Sequence, residues 1–175
     1  MLRGQTLEEL SVSLLKGAKG MRDSNFPLIS VVVLNWNGGR IVEKCLMSLQ
    51  AQTYRPLEII VVDNASTDGS VNWVEKRFPD IKLILNERNL GFGGGNNIGI
   101  QTSQGRYIMM LNNDTRLDPK CIEELKRSIE KDEKYGACAS KILLEYKDNL
   151  IDAAGIVVYP DGLSIGRGRL EKGDR

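Results

Sequence analysis

From Ile29 onward, short apolar runs alternate with segments whose apolar residues recur every three or four positions. This is the pattern of βα units that build a mostly parallel sheet flanked by helices. The run ISVVVLNW predicts a strand buried on both faces, because its β-branched residues follow one another without polar interruption. After Gly38 and Gly39, a predicted helix places Ile41, Val42, Cys45, Leu46 and Leu49 on one face. LEIIVVD is the second predicted strand and SVNWVEKRF the second helix, with Val71, Val74 and Phe78 on one stripe. IKLIL is the third strand. A glycine-rich turn and a further helix lead to RYIMMLNND, the fourth strand, and Pro119 then opens a helix that carries Ile122, Leu125 and Ile129 inward. The tail holds two predicted strands, ACASKILL and IDAAGIVVY, before the glycine-rich stretch DGLSIGRGR.

Residues 1–26 follow a different pattern. Leu7, Leu10, Leu14 and Leu15 stand at roughly helical spacing beside Lys16, Lys19 and Arg22, which predicts an appended helix or linker. A basic helix resting on a membrane surface is the alternative for this segment. The remaining residues, 27–175, suit one compact α/β domain with its own core.

Composition changes this picture in three ways. The chain has no histidine, so acid–base work within it falls to carboxylates and a Ser-His-Asp triad is excluded. A net charge of +1 gives no global field for nucleic acid, which points to a small partner. Cys45, Cys121 and Cys138 lack zinc or disulfide spacing and are expected as reduced core thiols. The start, MLRGQTLEEL, lacks the apolar core of a signal peptide, and no apolar run approaches a membrane span, so a cytoplasmic location is the expectation.

Ligands of an open parallel sheet gather at the carboxyl ends of its strands. Three polar clusters fall at such ends: Asn35 to Gly39, Asp63 to Asp68, and Asn112 to Thr115. Asp63 ends an apolar strand, which favours hydrogen bonding of its carboxylate to a ribose hydroxyl or base N–H; Asp68, later in the turn, is better suited to capping the next helix. In NERNLGFGGGNNIGI, Gly91, Gly93, Gly94 and Gly95 would let backbone approach a phosphate at a helix start, and the same run equally suits a helix packed tightly on the sheet. LNNDT offers Asp114 as an oxygen ligand for a hard divalent cation.

Taken together, PLISVVVLNWNG, VDNASTDGS, NLGFGGGNNIGI and LNNDT resemble the family 2 glycosyltransferases, and within them the rhamnosyltransferase-like branch that makes bacterial surface polysaccharides. The resemblance runs from about Pro27 to Gly168. It implies a glycosyltransferase A-type fold that binds a nucleoside diphosphate sugar and transfers the sugar with inversion to a saccharide or lipid-linked acceptor, with possible peripheral membrane association. Carried over residue by residue, the nucleotide-sugar contacts are Asn35, Asn37, Asp63, Asn64, Gly91, Gly93, Asn96 and Asn113, and Asp114 is the ligand of a divalent cation, Mg or Mn.

The sequence departs from the family pattern at two places. The usual Asp-x-Asp turn is Asn112-Asn113-Asp114, with one carboxylate fewer. The family's catalytic base belongs to a later acidic segment and is expected beyond Arg175, because Asp152 and Asp161 suit a strand edge and a turn, so the catalytic residue is unknown and the chain is expected to be truncated. A non-catalytic nucleotide-sugar-binding module is the alternative from another class, and a nucleotide-dependent oxidoreductase has only the glycine run in its favour.

Overall fold

The structure is a computed structural model and describes residues 12–16, 26–145, 149–158 and 164–173. The chain divides into two units, the first ending at Cys138 and the second running from Ala139 to Arg175.

In chain order the first unit contains β1 (Val12–Lys16), β2 (Ile29–Asn35), α1 (Ile41–Gln50), β3 (Leu57–Asp63), α2 (Ser70–Arg77), β4 (Lys82–Leu85), α3 (Gly91–Thr102), β5 (Tyr107–Asn112), α4 (Cys121–Ile129) and most of β6 (Ala137–Ala139). They form a six-stranded sheet of order β4-β3-β2-β5-β1-β6. Strands β2, β3, β4 and β5 pair in parallel, while β1 runs antiparallel to β5. The chain therefore steps outward from β2 to β4 and then crosses back through α3 to β5 on the other side of β2. The strand order reverses between β2 and β5, and at such a point an open α/β sheet leaves a crevice at the carboxyl ends of its strands.

Alternation along the strands divides the apolar side chains between two faces. Ile29, Val31, Val33, Val61, Met109 and Leu111 join Val42, Cys45, Leu46 and Leu49 of α1, Val74 of α2 and Ile122, Leu125 and Ile129 of α4 in the larger core. Val32, Ile60, Val62 and Ile108 face the other way and pack with Ile98 and Ile100 of α3. That helix lies close to the sheet because two of its glycines, Gly95 and Gly99, face the strands. A Cβ at Gly99 would stand 2.3 Å from Val32 Cγ1, and one at Gly95 would stand 2.3 Å from Leu34 Cδ1.

The structure corrects several expectations. The appended helix is a strand where it is described: Val12–Lys16 pairs with β5, and Leu14 is fully buried in the larger core. The open side of β5 supplies a ladder of hydrogen bonds, and this tertiary pairing overrides the leucine spacing. Leu7, Leu10, Lys19 and Arg22 lie outside the described residues. Ile41, placed on the inner face of α1 by periodicity, is 57% exposed at the helix start. The glycine run is the first turn of α3 itself rather than a turn before it.

In the second unit, β7 (Ile142–Leu143) pairs antiparallel with β8 (Ile151–Ala153), and β9 (Ile156–Val158) pairs with β10 (Ser164–Gly166). ACASKILL is thus two strands of different sheets, and IDAAGIVVY is broken at Gly155, whose φ of 94° turns the chain. Among the described residues, no helix is long and apolar enough to cross a membrane.

Candidate functional site

The carboxyl ends of β2, β3 and β5 are joined by a buried polar hub centred on Asn35. Asn35 and Asp63 are directly paired residues of the β2–β3 ladder, 1% and 2% exposed. Asn35 Nδ2 shares its hydrogens among Asp63 Oδ1 at 2.8 Å, Ser70 Oγ at 2.9 Å and Ser66 Oγ at 3.2 Å. Its Oδ1 accepts from Asn113 Nδ2 at 3.1 Å. The Asp63 carboxylate also accepts from the Ser66 hydroxyl at 2.6 Å and, through Oδ2, from the Ser66 backbone N–H at 2.8 Å. Burial of this carboxylate is tolerable because three donors of its own chain surround it. Asp63, expected to contact a nucleoside, also holds the turn that follows it.

Two exposed residues clasp the loop after β2 to the loop after β3. Asn37, with φ of 49°, donates its backbone N–H to Ser66 Oγ at 2.8 Å and accepts from the Thr67 N–H on Oδ1 at 2.8 Å. Asp68 accepts from the Gly39 N–H on Oδ2 at 2.7 Å. Its Oδ1 accepts from the hydroxyl and backbone N–H of Ser70, which opens α2. The Ser70 hydroxyl first, and then the backbone N–H groups of Ser70 and Gly39, hold the Asp68 carboxyl below the usual carboxylate range against the smaller opposing effect of burial. Trp36, the first residue after β2, is 57% exposed. The sequence reading assigned it to the first strand, but the strand ends at Asn35. Its signal was an aromatic at the position where a buried strand gives way to polar residues.

Asn64 anchors the entry to α3. It is buried, donates Nδ2 to Asn89 Oδ1 and the Gly91 carbonyl, and accepts from Asn86 Nδ2. Asn89 Oδ1 also accepts from the Gly91 N–H at 2.8 Å, a link that sequence reasoning missed. Gly91, at φ of 73°, and Gly93 are exposed, and a Cβ at either would meet no atom within 4 Å. The packing reading of the glycine run therefore holds at Gly95 and Gly99, whereas Gly91 and Gly93 border open space at the start of α3. Asn96 is buried and returns Nδ2 to the Phe92 carbonyl one turn earlier.

Asp114 is exposed in the turn after β5, beside the half-buried Asn113. Cys45 of α1 lies behind this turn, its Sγ 3.6 Å from the Asn112 carbonyl. Burial, and secondarily the negative charge of Asp114, push the Cys45 thiol up to about 12, so it is an inert core group. Among the described residues, no three His, Cys, Asp or Glu side chains cluster in a way that could hold a metal alone. The donor set fits a hard divalent cation that takes one carboxylate oxygen from the protein and the rest from a phosphorylated ligand and water. Asp152, in the second unit, has Arg169 Nε 3.9 Å away, and Asp161 lies outside the described residues.

The strand ends thus bring Asn35, Asn37, Asp63, Asn64, Gly91, Asn113 and Asp114 to one edge, with Asn37, Gly91, Gly93, Asp114 and Trp36 on its surface. Comparison with known proteins is in keeping with this architecture. A Haemophilus influenzae protein described as an uncharacterized glycosyltransferase is 34% identical over 132 residues, which cover 73% of this chain and 41% of that protein. S. aureus TarS 1–349, solved in complex with UDP-GlcNAc, shares the fold with a TM-score of 0.54 and 24% identity over 60% of this chain and 32% of its own. The mannosyltransferase PcManGT of Pyrobaculum calidifontis, solved with GDP-Man and Mn2+, does so with a TM-score of 0.55 and 23% identity over 62% and 34%. The chain accordingly spans well under half the length of each of these proteins. The family model for glycosyl transferase family 2 matches residues 30–159, and with this match over most of its length the chain belongs to that family.

Proposed function

We propose that the edge formed by β2, β3 and β5 holds a nucleoside diphosphate sugar, and that the chain is the donor-binding part of an inverting glycosyltransferase acting on a saccharide or lipid-linked acceptor. The observation that carries this reading is the arrangement at the reversal of strand order: an exposed indole, glycines bordered by open space and the exposed Asp114 carboxylate, with a buried polar hub beneath them. Trp36 offers a flat apolar face to a nucleobase. Gly91 and Gly93 admit the ligand close to the backbone at the start of α3, whose dipole favours a phosphate. Asp114 would hold the divalent cation, Mg or Mn, that stabilises charge on the departing diphosphate as a Lewis acid. Asn35, Asp63, Asn64 and Asn96 act from beneath by fixing the loops that carry these groups.

The family relationship supports the chemistry, and two structural neighbours solved with UDP-GlcNAc and with GDP-Man and Mn2+ support the class of ligand. The motifs favour the rhamnosyltransferase-like branch and a role in surface polysaccharide synthesis at the cytoplasmic face of the membrane. Inversion requires a single displacement in which one base takes the proton of the acceptor hydroxyl as it attacks the face opposite the leaving group. Calorimetric titration of UDP, GDP and dTDP with and without MnCl2 tests the reading. One of the three should bind more tightly with manganese, and Asp114→Ala should abolish that gain in a folded protein. A gain that survives Asp114→Ala removes this residue from the site.

A further inference from the structure

The hydrogen bond from Asn113 to Asn35 crosses between the carboxyl ends of β2 and β5, where the strand order reverses. A second observation marks the same spot from the opposite loop. A Cβ at Gly38 would stand 2.4 Å from Asn35 Oδ1 and 2.5 Å from Asn113 Nδ2. Gly38 is not among the glycines with positive φ, so conformational freedom does not explain it. Space does: the loop after β2 closes over the Asn35–Asn113 bond only because residue 38 lacks a side chain.

We propose that Asn113 is a positioning residue, and that its bond to Asn35 beneath Gly38 is a latch setting the β5 turn, and with it Asp114, in register with the loops that face the nucleotide. The inference rests on the nucleoside diphosphate reading above and adds to it how the metal-bearing turn is tied to the rest of the site. The tie is continuous. Asn113 donates to Asn35, Asn35 donates to Asp63, Ser66 and Ser70, Ser70 donates to Asp68, and Asp68 accepts from Gly39. Asp114 follows Asn113 directly in the chain, so freedom gained at residue 113 passes to the carboxylate proposed to carry the cation. Asn113 has no need to touch the ligand to affect it.

Two variants attack the latch from opposite sides. Asn113→Ala removes the donor and leaves Asn35 Oδ1 unpaired. Gly38→Ala keeps both asparagines and drives a methyl group into the bond between them. Each is titrated with UDP, GDP and dTDP, with and without MnCl2, after circular dichroism establishes that it folds. The expected result is a manganese-dependent gain in affinity reduced roughly five- to tenfold in both, the scale of one lost hydrogen bond, with a smaller change in metal-free affinity. Equal losses with and without manganese would indicate general loosening and overturn the proposal, as would an unchanged gain.

Amide hydrogen exchange supplies a readout that needs no ligand. Asn113→Ala should speed exchange at residues 36–40, and Gly38→Ala should speed it at 112–116. Unchanged exchange at both segments overturns the latch even where nucleotide binds. If the wild-type chain binds none of the three nucleotides, the functional reading fails instead, and exchange alone decides whether the two loops are latched. Should Asn113→Ala not fold, Gly38→Ala carries both arms.

Discussion

The β2–β3 ladder carries a polar pair near each end, and the two have different consequences. At the amino end Ser30 stands opposite Glu58; at the carboxyl end Asn35 stands opposite Asp63. In both, a buried residue of β2 hydrogen-bonds a carboxylate of β3. The Ser30 hydroxyl bonds to Glu58 and accepts the Gly105 N–H, while Glu58 accepts the Gln104 N–H, so this pair pins the link between α3 and β5 and goes no further. Gly105 fits so closely there that a Cβ would stand 2.6 Å from the Ser30 nitrogen. The Asn35–Asp63 pair reaches the turns after β3 and β5, and at the same edge lie exposed Trp36, Asn37 and Asp114. A buried polar pair is therefore not a site in itself. What distinguishes the carboxyl end is the exposed chemistry that the pair holds in place.

The comparison breaks most visibly at Asp63. Asp63→Asn keeps the shape but turns one oxygen into an NH2 group that must face a donor of Ser66 or Asn35. The expected cost is about 2–3 kcal/mol of stability, measured by urea denaturation, together with weaker nucleotide binding. Ser30→Ala should cost less, about 1–2 kcal/mol, by leaving the Gly105 N–H unpaired, and should leave nucleotide affinity unchanged. Equal effects of the two substitutions on nucleotide binding would erase the distinction between the ends.

The smallest effect concerns Asp68. Its folded carboxyl titrates below the usual range, so its stabilisation is fully present above the unfolded carboxylate pKa and is lost as pH falls through the lower folded value. Because the side chain is exposed, solvent screening keeps this contribution small. Asp68→Asn should flatten the acid limb of thermal stability between neutral and acidic pH, since an amide offers one acceptor for two sets of donors. An acid limb identical to wild type would mean that the clasp to Gly39 carries no stability.

Much of the fold was legible because parallel strands buried on both faces leave a continuous apolar signal: β2, β3 and β5 begin and end within two residues of the apolar runs that predicted them. Leu14 shows the limit. Its spacing from Leu7 and Leu10 suited a helix, whereas the state of Val12–Lys16 is decided by a partner strand about a hundred residues further along. Sequence also identified which polar residues gather at the carboxyl edge. It could not tell which of them are buried and which reach the surface, and there Asn35 and Asp63 part from Asn37 and Asp114. Exposure and pairing are properties of the folded neighbourhood, not of residue type. Trp36 was hidden for the related reason that an aromatic extends an apolar run whether it points inward or outward.

The central claim is that the nucleotide occupies the carboxyl end of this ladder. The most direct test is to map backbone amide shifts by NMR as the tightest-binding of UDP, GDP and dTDP is added with a diamagnetic divalent cation, Mg2+. The account predicts that shifts concentrate at residues 35–39, 63–70, 89–94 and 112–116, with the Trp36 indole N–H among them, while Ser30, Glu58, Gln104 and Gly105 stay in place. Shifts centred on the Ser30–Glu58 end, or spread evenly over both ends, would contradict it.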